Sequence, residues 1–257
     1  MSAIVVLEWK FSLPDYFETR REIKQDDYTM IIDDGKVEVT MDSAVYDENP
    51  LVCNALHEKL NRLFLGVQIC SHKVYELSSQ PTPTRVYPDG HRLISLKGKA
   101  VALSSANAEY QVLNKEGIVV ADSRRDRIKK WDDLADLFIQ HQKDEVLTSL
   151  QESYKASVED PDDELVHLYE IRDAISSKFG SQKTAQSALK ISELDWKRLG
   201  ELANHEPLLQ GRHRGKSSGA LRGATHAELA EARGIARTMI EAYLRYLDTT
   251  AHSSGPK

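Results

Sequence analysis

Near residue 125 the spacing of apolar residues changes from every second position to every third or fourth, and no other feature constrains the fold of this chain as tightly. Before the change the pattern is that of strands. Tyr28, Met30 and Ile32, then Val37, Val39 and Met41, alternate around Asp33-Asp34-Gly35-Lys36, whose Asp-Gly pair suits a hairpin turn. Ile4–Phe11 is rich in β-formers, and further strands are expected over Gln68–Leu77, Arg92–Leu96, Lys99–Ser104, Glu109–Leu113 and Ile118–Asp122. Asn114–Gly117 should join the last two as a hairpin. One helix interrupts the series: from Pro50, residues Leu51, Ala55, Leu56, Leu60, Leu63 and Phe64 share a face, and Gly66 ends it. Pro81, Pro83 and Pro88 make Gln80–Gly90 an exposed loop.

After the change the stripes are helical: Ile128, Trp131, Leu134 and Phe138; Val146, Leu147, Leu150 and Tyr154; Leu165, Leu168, Ile171, Ile175 and Phe179. Asp160-Pro161-Asp162-Asp163 carries an Asp cap, a first-turn proline and acids that suit a helix start, and Gly180 is the matching stop. Ser192-Glu193-Leu194-Asp195 and Thr225-His226-Ala227-Glu228 resemble capping boxes for two more helices. The first of these holds Trp196, Leu199 and Leu202; the second is long and buries Leu229, Ala232, Ala236, Met239, Ile240, Tyr243 and Leu247. Strands followed by helices predict an α+β chain. We expect a β-rich domain with one inserted helix over residues 1–125, an all-helical domain of five or six helices over 126–248, and a disordered tail over 249–257. The two domains should join near Ser123–Lys130.

Composition excludes several classes. With 257 residues, 40% apolar content and a mean hydropathy of −0.48, the chain can bury two cores but has no apolar run near the length of a membrane-spanning helix. Cys53 and Cys70 form no CxxC and have no histidine placed to complete a zinc site, so both are expected as buried apolar fillers, with no metal and no cofactor. The start, MSAIVVLEWKF, lacks the basic and apolar regions of a signal peptide, so a cytoplasmic location is expected.

Charge is unevenly placed. Residues 131–173 hold 3 basic and 13 acidic side chains, whereas residues 174–257 hold 13 basic and 8 acidic. Either the two segments attract each other, or the basic one faces an anionic partner. The loop Gly211–Gly223 concentrates Arg212, His213, Arg214, Lys216 and Arg222 among four glycines, with no acid. Glycine admits close backbone approach, the arginine fork matches phosphate oxygens, and the N-terminus of the final helix follows directly. Arg233 and Arg237 lie one turn apart on that helix and could extend the patch. A second basic run, Arg124-Arg125-Asp126-Arg127-Ile128-Lys129-Lys130, falls at the expected domain junction. Two motifs nearly fit the loop and fail on context. Gly211–Ser217 is one residue short of a phosphate loop, with no strand before it and no helix after, and Gly215-Lys216-Ser217-Ser218-Gly219 lacks the strand and helix of a nucleophile elbow.

Two segments resemble known families. Residues 182–199, with Ala185, Leu189, Ile191, Trp196 and Leu199 at apolar positions and Ser192 as a cap, resemble the helix-turn-helix of DNA-binding regulators. Lys190 departs from the usual glycine of the turn, Gln186 from the usual small residue, and Glu193 and Asp195 make the second helix start acidic. The helical stretch 162–247, with Arg198 and His205 separated by six residues, resembles the HEPN superfamily, whose domains often dimerise and include metal-independent ribonucleases. Leu199 stands where that family favours a polar residue. Asn204, His205, Arg212, His213 and Arg214 cluster within eleven positions. The function expected from the residues is recognition of an anionic partner, RNA or DNA, by the helical domain through Arg198, Arg212, His213, Arg214, Lys216 and Arg222. The HEPN resemblance implies, instead, a homodimeric ribonuclease acting through Arg198, His205, Arg212 and His213. A third alternative is a protein-interaction module in which the β-domain acts and nucleic acid has no part.

Overall fold

The structure is a computed structural model that describes residues 3–89, 92–94, 111–113, 119–212 and 220–253. An antiparallel sheet occupies the N-terminal part and helices most of the C-terminal part, so the fold is α+β. Contacts divide the chain into two compact units, one of residues 1–67 with 75–133 and the other of residues 68–74 with 134–257.

In the first unit, six strands form one sheet: β1 (Ile4–Lys10), β2 (Arg21–Lys24), β3 (Tyr28–Asp33), β4 (Lys36–Asp42), β5 (Thr82–Val86) and β6 (Arg92–Ile94), in the order β2-β3-β4-β1-β5-β6. Asp34 and Gly35 both take positive φ, which lets a two-residue turn follow the sheet twist and pair Asp33 with Lys36. That register aligns Trp9, Val37 and Ile32 in one row and Leu7, Val39 and Met30 in the next, all buried on one face. The short α1 (Ser43–Glu48) is capped by Asp42, and the longer α2 (Val52–Ser71) adds Leu56, Leu60, Leu63, Phe64 and Val67 to the core. Phe64 packs on the rings of Phe11, Tyr16 and Phe17, and its carbonyl accepts the Tyr16 hydroxyl. β7 (Gln111–Leu113) and β8 (Val119–Asp122) make a small ribbon before α3 (Ser123–Gln140).

Several local expectations are corrected. Gly66 does not end α2, which continues to Ser71, so Gln68–Leu77 is not a strand and Cys70 is helical; Leu77 forms only an isolated bridge with Phe11. An internal glycine costs a helix about 1 kcal/mol, less than burying Val67 and Ile69 returns at about 1.5–3 kcal/mol each. Leu51 and Ala55 lie exposed rather than on the buried face. Both cysteines are half-buried thiols rather than fully buried fillers. The proline-rich Gln80–Gly90 contains β5, paired along β1. β6 pairs only with Thr84–Val86, so Pro83, opposite Leu7, lacks its N–H where β5 has a described neighbour on one side only. In keeping with the helical stripe expected from Ile128 onward, the basic run 124–130 opens α3, where Arg127 pairs with both oxygens of Glu18. Lys99–Ser104 and Asn114–Gly117 lie outside the described residues.

The second unit comprises α4 (Glu145–Glu159), α5 (Glu164–Lys178), α6 (Gln182–Leu189), α7 (Glu193–Asn204) and α8 (His226–Ser253), with the last turns of α2 and α3. α5 packs against α4, α6, α7 and α8 around Leu165, Leu168, Ile171 and Ile175. Asp160 does not start α5: its backbone N–H closes α4 on the Ala156 carbonyl, and Asp160–Asp163 forms the turn between the helices. α8 continues through Ser253, past Thr249, where a tail is expected: Tyr246 and Leu247 pack against the core, and the Thr249 and Thr250 hydroxyls donate to the carbonyls of Arg245 and Tyr246 one turn back. Among the described residues, no helix is long and apolar enough to cross a membrane.

His72 follows α2 with a positive φ and packs edge-on against Tyr154, its Nε2 3.7 Å from the buried Glu164, which Arg233 holds in a two-pronged ion pair. Burial, reinforced by the Arg233 charge, pushes the His72 pKa down to about 4 from the ordinary 6.5. The folded state therefore keeps His72 neutral while the unfolded chain takes up its proton, so stability is full above pH 6.5 and falls as pH drops toward 4. Thermal unfolding between pH 7 and pH 5 should show a falling Tm, and His72→Asn, which tolerates the same backbone, should flatten that slope.

Candidate anion-binding site

The site grows out of the turn that joins α6 to α7. Ser181 caps α6 by accepting the Thr184 N–H, and Ser192 caps α7 by accepting those of Leu194 and Asp195. Between them Lys190 takes a left-handed φ of 55°, a conformation that glycine adopts at less cost, and Ile191 N–H closes on the Gln186 carbonyl. The residues 182–199 thus form two helices and a turn, with Trp196 carried by α7 into the core.

Facing Trp196 is Arg172 of α5. Its Nη1 donates to the Trp196 carbonyl at 3.1 Å, and its guanidinium carbon lies 5.4 Å from the Trp196 ring centre and 4.8 Å from that of Tyr169. Gly200 makes this placement feasible, since a Cβ at that position would overlap Arg172 Nη1. Each of the other described arginines between residues 134 and 253 has a carboxylate within ion-pair distance; among the described residues, Arg172 has none. A guanidinium held by two ring faces and a carbonyl keeps its full charge and several N–H groups for something else.

Arg172 lines a cavity of about 260 Å³. Buried Trp196 and Gly200 form its floor, half-buried Tyr169, Arg172, Glu201 and Asn204 its walls, and exposed Gln182, Glu193, Lys197 and His205 its rim. The Trp196 indole N–H, shielded from solvent, has no acceptor among the described residues. An unmet buried donor costs about 1–3 kcal/mol.

The basic loop begins beside this cavity. Arg212 N–H donates to the Ala203 carbonyl at 2.7 Å, and the buried Gly211 allows it, because a Cβ there would stand 3.0 Å from the same oxygen. The Arg212 guanidinium lies 4.6 Å from the Tyr169 ring centre and donates to Asp173 at 2.9 Å. The loop closes at its neck, where Leu208 and Arg222 form a parallel bridge, Leu209 N–H donates to Arg222 O, and Arg222 N–H donates to Pro207 O. The Arg222 side chain grips Glu228 at 2.6 and 2.8 Å. These bonds, with the Thr225 N–H, hold the Glu228 carboxyl far below the usual carboxylate range. Arg198 pairs with Glu231 at 3.1 Å and with Glu201 and Glu206 more loosely, and Glu206 also reaches Arg222 at 3.8 Å.

Of the residues singled out in the sequence, His205 lines the cavity and Arg212 stands next to it, across the Tyr169 ring contact. Arg198 and Arg222 belong to the carboxylate network at the neck of the loop, and Arg233 pairs with Glu164. His213, Arg214 and Lys216 lie outside the described residues. Tyr169, Arg172 and Gly200 were not singled out. Arg172 is hidden by its position in the acidic segment; an aromatic residue one helical turn before an arginine, opposite a mid-helix glycine, was the available signal. Among the described residues no three His, Cys, Asp or Glu side chains gather as metal ligands. No protein-family model, curated protein or solved structure matches the chain.

The capping box that opens α8 forms as the sequence suggests, with Glu228 accepting from Thr225 N–H at 2.8 Å and Thr225 Oγ1 accepting from Glu228 N–H at 3.2 Å. Thr225→Ala should lower the free energy of unfolding by about 1 kcal/mol, read as a reduced denaturant midpoint with an unchanged slope.

Proposed function

We propose that the helical unit binds an anionic partner, a nucleic acid, at the cavity around Arg172 and the start of the basic loop. The observation that carries this reading is a guanidinium, flanked by two aromatic rings, that has no carboxylate partner where its described neighbours all have one. Arg172 beside the half-buried Tyr169 supplies positive charge next to a ring, the pairing that nucleic-acid strands use. Arg212 adds a second guanidinium whose contact with Asp173 is half-exposed and so exchangeable for a phosphate. His213, Arg214 and Lys216 follow directly in sequence. Arg198 and Arg222 act in this reading by fixing the neck of the loop and not as contacts.

The test is fluorescence anisotropy of labelled RNA and DNA across a salt series. Arg172→Ala should weaken binding and reduce the slope of log affinity against log salt by about one unit, as should Arg212→Ala, whereas Arg198→Ala should leave the slope unchanged. No binding at low salt would overturn the proposal.

A second reading, metal-independent RNA cleavage, is favoured by one observation: His205 and Asn204 line the same cavity as Arg172. There His205 would accept the 2′-hydroxyl proton while Arg172 stabilises charge on the phosphate. His205→Ala should then abolish cleavage of labelled RNA while leaving its binding in place.

A further inference from the structure

The shape and charge of the cavity narrow the ligand further, provided that the ligand is a nucleic acid or its nucleotide unit, as proposed for the helical unit. A duplex presents its phosphates on a convex surface, where protruding lysines and arginines reach them. Arg172 is not such a residue. Its guanidinium is recessed against the buried Trp196 and Gly200, below a rim that carries the carboxylate of Glu193 beside Lys197 and His205. A continuous strand could not bring its phosphodiester to Arg172 without leading both flanks over the rim. A chain end enters such a recess from one side.

The guanidinium also suits an end better than a middle. Arg172 keeps N–H groups that the Trp196 carbonyl does not engage. A phosphodiester offers two free oxygens and one negative charge, whereas a phosphomonoester offers three oxygens and, with a second pKa near about 6, almost two charges at neutral pH. The doubled charge gains most where the guanidinium has no competing carboxylate. We infer that the Arg172–Trp196 cavity is a receptor for a phosphomonoester, the terminal phosphate of a nucleic-acid strand or of a free nucleotide.

The test uses the full chain and single-stranded oligonucleotides of one sequence ending in phosphate or hydroxyl, with a nucleoside monophosphate as the free counterpart. Affinity is read by anisotropy, and occupancy of the floor by the NMR shift of the Trp196 indole N–H. The phosphate-ended strand should bind at least tenfold more tightly than the hydroxyl-ended one and should move the indole resonance. Both effects should vanish in Arg172→Ala and in Gly200→Ala, the second of which displaces only the flexible end of Arg172 and so should keep the Tm of the unaltered protein. A strand bound more tightly than the monophosphate identifies a chain end as the ligand; equal affinity identifies the free nucleotide. Equal binding of phosphate- and hydroxyl-ended strands overturns the inference and leaves the nucleic-acid reading standing, whereas failure of every strand and of the monophosphate overturns both.

Discussion

Arg172 projects from α5, which packs against α4, α6, α7 and α8, and its guanidinium is held there without a counterion among the described residues. That placement sets the rest of the site. Arginine tolerates it because its planar, weakly hydrated head lies comfortably on ring faces, where a lysine ammonium would demand water. The Trp196 carbonyl fixes one edge of the fork, Tyr169 and Trp196 shield its faces, and Gly200 leaves the space that its end occupies. A carboxylate within reach would have neutralised the group; instead, the nearest acids in the chain, Asp173 and Glu170, serve Arg212 and His167.

The segregation of charge along the sequence is resolved in two different ways. Part of it is internal attraction. Glu164 of the acidic segment is buried under Arg233 of the basic one, and Asp173 meets Arg212. The first pair is desolvated, so removing either partner would strand a buried charge, which is far more damaging than losing an exposed pair. The second is open to water and contributes little to stability. A strongly held pair thus fixes α5 against α8, while a weakly held one leaves a guanidinium near the cavity exchangeable.

Much of the fold was legible in the sequence because its strongest signals are local. The Asp34-Gly35 turn, the period-two pattern of β3 and β4, the Ser192 cap and the capping box at Thr225 depend on a few adjacent residues and form as those residues dictate. The errors arise where tertiary burial outweighs a local preference. Gly66 stays helical because Leu63 and Val67, one turn apart, are buried on one face and Ile69 on another, and Pro83 sits in a strand because β1 supplies a partner. The site was legible only in part for a related reason. Counting charge by segment identified the loop that contains Arg212 but assigned Arg172 to an acidic background, and no count along the chain reveals that an arginine on α5 and a glycine on α7 will face each other.

The basic loop itself is less free at its base than its composition implies. Gly211 is needed for close approach to the Ala203 carbonyl and not for mobility, and Arg222, read in sequence as a ligand for anions, closes the neck through its backbone and clamps the first turn of α8 through Glu228. Arg198 and Glu206 extend the same clamp. Arg222 of the loop and Arg198 of α7 are thereby committed to holding it, and among the described residues the charge left to act on a ligand lies where the loop meets α5, at Arg212 and Arg172. A loop anchored this way delivers its first residues to one fixed place beside the cavity, which is the geometric condition for a side chain on a loop to assist one on a helix.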